Sequence, residues 1–63
     1  MKVNNVQGYA FDHKYIVARR VEDCIQNGSD LWFYGAWDDA EAARTVALEV
    51  GGIAIETSLV IPV

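Results

Sequence analysis

Asp38, Asp39 and Glu41 set three carboxylates within four positions, directly after an aromatic run. Grouped acids can do two kinds of chemistry. They can hold Mg²⁺ through oxygen, though weakly here, because the spacing lacks the pattern of a calcium-binding loop. They can also stand in for phosphates against a basic surface. A second set, Glu22, Asp23 and Asp30, brackets a polar loop. Other reactive side chains are few. His13 and Cys24 are single residues of their kinds. A metal site needs several such ligands in convergence, and a lone thiol with no activating partner is inert. Ser29, His13 and an aspartate have no spacing that supports a catalytic triad. The five glycines form neither GxGxxG nor GxxxxGK[ST]. With no catalytic, metal or cofactor pattern legible, a non-enzymatic protein without cofactor is expected.

The elements that position these acids follow from propensity and period. Asp38 or Asp39 supplies an N-cap, and Glu41 lies three residues after Asp38, as in a capping box. AEAARTVALEV, residues 40–50, is rich in helix formers. Gly51-Gly52 then ends the helix. Ala40, Ala43, Val46, Ala47 and Val50 share its apolar face, with Leu48 on the polar side. YIVARRV (15–21) and LWFYGAW (31–37) are β-branched and aromatic, and predict a hairpin with a long polar tip. IAIET (53–57) predicts a third strand, and VQGYAF (6–11) a fourth. The fold class is α+β in β-β-α-β order, with one helix on one face of a mainly antiparallel sheet of three strands, or four with the N-terminal run. A right-handed crossover places the third strand beside the first, in sheet order 2-1-3.

Sixty-three residues make a single domain, 1–63. A chain this short buries only about 60% of the surface it exposes unfolded. Its core yields no more than about 3–5 kcal/mol of net stability. One cysteine and no secretory leader predict a reducing, cytoplasmic setting. The longest apolar segment, LVIPV, is far short of the roughly 18 residues of a membrane helix. Nine acids against five bases give a net charge of -4. That disfavours direct nucleic-acid binding, which relies on Lys and Arg, and suits a basic protein or nucleoprotein partner.

Strand alternation assigns the faces. If Ile53 and Ile55 face the helix, so do Val17, Val21, Leu31, Phe33 and Trp37. The opposite face then carries Ile16, Ala18, Arg20, Trp32, Tyr34, Ala36, Ala54 and Glu56. A shift of register by one exposes Phe33 and Trp37 instead. Either the terminal segments cover this face, or a second copy does, or a partner does. Exposed aromatic patches mark interaction sites, and Trp, Tyr and Arg dominate interface energy. The topology also separates the acids. Asp12, Asp38, Asp39 and Glu41 gather at one end of the sheet. Glu22, Asp23 and Asp30 gather at the other, roughly 20–25 Å away along a seven-residue strand.

FYGAWDDAEAARTVALEVGGIAIE, residues 33–56, resembles one strand–helix–strand half of a SPOR domain, the peptidoglycan-binding family. That resemblance implies two such halves, which a homodimer would restore. In format the whole chain, compact, acidic and without a catalytic site, is similar to small phage-encoded inhibitors such as anti-CRISPR proteins. That likeness implies a phage or mobile-element inhibitor occupying a basic nucleic-acid channel of a host defence complex. Its expected contacts are Glu22, Asp23, Asp30, Asp38, Asp39 and Glu41, with Trp32 and Tyr34 as apolar anchors. The alternative is a structural homodimer joined through the aromatic sheet face.

Overall fold

The computed structural model describes residues 1–22 and 28–63. Its centre is the expected hairpin. β2 (Tyr15–Arg20) pairs antiparallel with β3 (Leu31–Trp37), and β4 (Gly52–Glu56) lies on the other flank of β2. The order β3-β2-β4, in which β4 returns through a single helix to the far flank of β2, is the expected one. That helix, α1, spans Ala40–Val50. Asp39 is its cap: the Ala42 N–H donates to the Asp39 carboxylate at 3.1 Å. The cap is therefore one residue later than a capping box starting at Asp38 would place it. Gly51 closes α1 in the left-handed region at φ 69°, where a Cβ is disfavoured. Ala43 and Ala47, one turn apart, are buried against Val17. Their small side chains bring α1 close to the sheet.

The sidedness of the sheet differs from the expected one in a specific way. Val17 and Trp37 face α1 as expected, together with Tyr15 and Ala54. Leu31, Phe33, Ile53 and Ile55 face the opposite side, with Ile16, Ala18 and Ala36. Val21, half-buried beyond the end of β2, joins neither cluster. Two causes act. First, the β2–β3 register steps from Val17↔Gly35 to Ala18↔Phe33, which leaves Tyr34 as an extra, unpaired residue. Such a bulge reverses the alternation on either side of it. Second, the alanine-faced helix packs on the small Ala54, which sends the two isoleucines of β4 to the far face.

That far face is covered by the chain's own ends. β1 (Lys2–Val3) pairs in parallel with β5 (Ile61–Pro62), and Asn4 bridges in parallel to Trp32 of β3. Asn5 turns the chain at φ 60°, a conformation asparagine tolerates. A 3₁₀ helix at Gly8–Asp12 then crosses the sheet where a fourth strand was expected. Val3, Ala10 and Val60 close over Ile16, Ala18, Leu31 and Ile55. Ile16, Val3 and Val17 are fully buried, and each contributes about 1.5–3 kcal/mol of transfer free energy. Phe33 lies beneath Tyr9 in an edge-to-face contact of 5.9 Å. The rings of β3 thus do not form a broad open face.

Candidate functional site

What stays open on β3 is smaller and better defined. Tyr34, 47% exposed, stacks on Trp37 with ring centroids 6.4 Å apart and planes 10° from parallel. Residues three apart in a regular strand point to opposite faces. The bulge at Tyr34 brings these two to the same side. Gly35 makes the seat: a Cβ there would meet the Trp37 ring at 2.6 Å, so the indole lies directly on strand backbone. Arg19 completes the row, its guanidinium 5.9 Å from the Tyr34 ring centre. This is within cation–π range and contributes about 0.5–1 kcal/mol at an exposed site. Trp32 is half-buried where Asn4 bridges to it in parallel. The sequence signal was Gly35 inside an aromatic strand, a mark of a bulge or close approach.

Trp37 leads directly into the acidic end. Asp38 follows it, and its carboxylate is held on two sides. The His13 ring Nδ1 lies 3.2 Å from one oxygen, and the Lys14 N–H donates to the other at 3.2 Å. Asp12 precedes His13, and Glu56 pairs in register with Tyr15, which is also opposite Trp37. Asp39 caps α1 and Glu41 is exposed in its first turn. Five acids, Asp12, Asp38, Asp39, Glu41 and Glu56, thus share one end with Lys14 and with Arg44, which lines a groove with Tyr15 and Glu56, for a sum of -5 + 2 = -3. The other four acids and three bases of the chain leave -1, so most of the net charge of -4 lies at this end.

The opposite end is different. Asp30 is 3.4 Å from Arg20 in a partly exposed ion pair, worth about 0–1 kcal/mol. Arg19 is a neighbour in β2, and Glu22 is exposed. Asp23 and Cys24 lie outside the described residues. Asp38, Asp39 and Glu41 are brought together as expected, whereas Asp30 is balanced by an arginine. Among the described residues no three His, Cys, Asp or Glu side chains converge to hold a metal ion. A shallow groove of about 480 Å³ beside the acidic end is lined by Phe11, His13, Lys14, Tyr15 and Glu56, with Thr57 and Ser58.

The His13 ring, and then the Lys14 N–H, hold the Asp38 carboxyl below its ordinary value of 3.8. A depressed folded-state value means that the carboxylate stabilises the fold fully above the unfolded value. This contribution is lost as pH falls through the folded one. Asp38 is 63% exposed, so solvent screens the effect and keeps it small. Urea midpoints of the wild type and Asp38→Asn across pH 2–6 are expected to converge towards the acid limit. Curves that stay parallel throughout would contradict the Asp38 tether.

Among the described residues no helix is long and apolar enough to cross a membrane. No protein-family model, curated protein or solved structure matches the chain.

Proposed function

We propose that the chain is a non-enzymatic protein-binding domain whose acidic end covers a basic, nucleic-acid-binding surface. In its specific form it is a phage or mobile-element inhibitor of the anti-CRISPR kind, acting on a host defence complex in the cytoplasm. One observation carries this reading: most of the net charge of -4 gathers around Asp12, Asp38, Asp39, Glu41 and Glu56, beside the exposed Tyr34 and its stack on Trp37. Carboxylates on a folded scaffold offer a basic channel the charge of a phosphate backbone without its flexibility. The adjoining ring pair offers the apolar anchor that interface centres need. Complementary charge speeds encounter and weakens with salt.

The test is displacement. The immobilised protein captures its target from a bacterial lysate at low salt, and nucleic acid bound to that target is then assayed. Capture of a basic complex stripped of its nucleic acid is expected, with release as ionic strength rises. A captured complex that keeps its nucleic acid would contradict the reading.

A further inference from the structure

Three strand borders face outward among the described residues, and two are protected. Along β3, the Asn4 N–H donates to the Leu31 carbonyl at 2.8 Å and Asn4 accepts from the Phe33 N–H at 2.9 Å. The Tyr34 bulge interrupts the rest of that strand. Along β5, the N–H groups of Ile61 and Val63 point inward, to the Met1 and Val3 carbonyls at 2.7 and 3.1 Å. The outward position between them is Pro62, which has no N–H to offer. β4 has no such device. The Thr57 N–H donates to the Lys14 carbonyl at 2.9 Å. Antiparallel alternation then turns Ile55 and Ile53 towards β2, and Ala54 and Glu56 outward. Its sequence, GIAIE, contains no proline or lysine to discourage pairing.

Above this border the helix is apolar where it could be polar. Leu48 is 85% exposed. With Arg44, Ala47, Gly52, Ile53 and Ala54 it lines a groove along β4. We propose that this border is an isologous interface with a second copy of the chain, its two-fold axis passing at Ala54. Ala54 of each copy exchanges N–H···O bonds with Ala54 of the other, Gly52 lies opposite Glu56, and the two three-stranded sheets become one. Adjacent strands are about 4.8 Å apart. Because α1 lies across β2 and β4, the two helices come to about 10 Å from one another, the normal packing distance of helix pairs. They run antiparallel, so Arg44 of each copy faces Leu48 and the last turn of the other. That turn carries the negative end of the helix dipole and has no basic residue of its own. This complementarity favours a second copy over an unrelated strand. The two-fold also sends the acidic ends to opposite extremes, so their charges do not oppose pairing. Tyr34 and Trp37, on the far border, stay free.

Sedimentation equilibrium of the full chain over a concentration series tests the interface. The wild type is expected to approach twice its 7.0 kDa mass. Leu48→Glu should raise the dissociation constant at least about tenfold, the scale of a lost central contact. Ala54→Pro removes the outward N–H at the two-fold but also sets a ring against α1; where circular dichroism shows both variants folded, it should do the same. Tyr34→Ser should dimerise as the wild type does. A wild type monomeric at every concentration overturns the proposal. So does a dimer unaffected by Leu48→Glu, or one lost in Tyr34→Ser. None of these outcomes depends on the inhibitor reading.

Discussion

Asn4→Ala is expected to remove a large share of the stability of this domain. Asn4 is 3% exposed, and its amide donates to the Ser29 and Leu31 carbonyls at 2.9 and 3.1 Å. Ser29 extends the network: its hydroxyl donates to the Lys2 carbonyl and accepts from the Leu31 N–H at 3.2 Å. Alanine would leave the buried Ser29 carbonyl without that donor, at about 1–3 kcal/mol for an unsatisfied group, while the Leu31 carbonyl keeps the backbone N–H of residue 4. Against a net stability of about 3–5 kcal/mol the loss is decisive. It also frees the N-terminal segment that covers the far side of the sheet. Urea unfolding should show a midpoint lowered by about a third or more, and a hydrophobic dye should bind the variant before it unfolds. Asn4→Asp should be at least as damaging, because it aims a carboxylate at two carbonyl oxygens. A change below about 0.5 kcal/mol, the scale of a surface substitution, would show that the network does not hold the ends in place.

Gly52→Ala is the second large effect. A Cβ on Gly52 would run into the Ala18 carbonyl oxygen, with the Ala18 carbonyl carbon 3.0 Å away and the Arg19 Cα 3.3 Å away. All three are backbone atoms, so no side-chain rotation relieves the contact. β4 would have to move off β2, the strand it pairs with along its whole length. Overpacking of this kind costs about 1–3 kcal/mol, and the rigid obstacle places Gly52→Ala at the upper end of that range. Gly8→Ala is the control, since a Cβ there meets nothing within 4 Å and should change stability by less than about 0.5 kcal/mol. Thermal melts of the two variants side by side would decide the matter. Equal melting temperatures would contradict the close β2–β4 approach.

Much of this fold could be read from local sequence. The helix bounds follow from an aspartate cap, a run of helix formers and Gly51. The strand order matches the expected return of the third strand beside the first strand of the hairpin. Sidedness could not be read in the same way, because alternation assumes an unbroken ladder. One extra residue at Tyr34 reverses Leu31 and Phe33 relative to Trp37. Coverage by the chain's own ends was one of three options for the open face, and the sequence could not choose among them. Val3, Val6 and Ala10 cover a sheet face from a two-residue strand and a 3₁₀ helix, neither of which leaves a periodic pattern. For the acids, the topology placed Asp12 beside Asp38 correctly. The neutralisation of Asp30 depended on the rotamer of Arg20, which no spacing rule supplies.

The account predicts that binding is confined to one end of the molecule. Glu41 and Glu22 are both exposed, and they lie at opposite ends of the sheet. The most direct measurement compares Glu41→Lys with Glu22→Lys in the displacement assay at low salt, each variant first shown to be folded. Glu41→Lys sets a positive charge against a basic surface and should weaken binding at least about tenfold, within the cost of juxtaposed like charges. Glu22→Lys should leave affinity nearly unchanged. Equal losses from both substitutions, or a loss from Glu22→Lys alone, would contradict an interface built on Asp38, Asp39, Glu41 and the Tyr34–Trp37 stack.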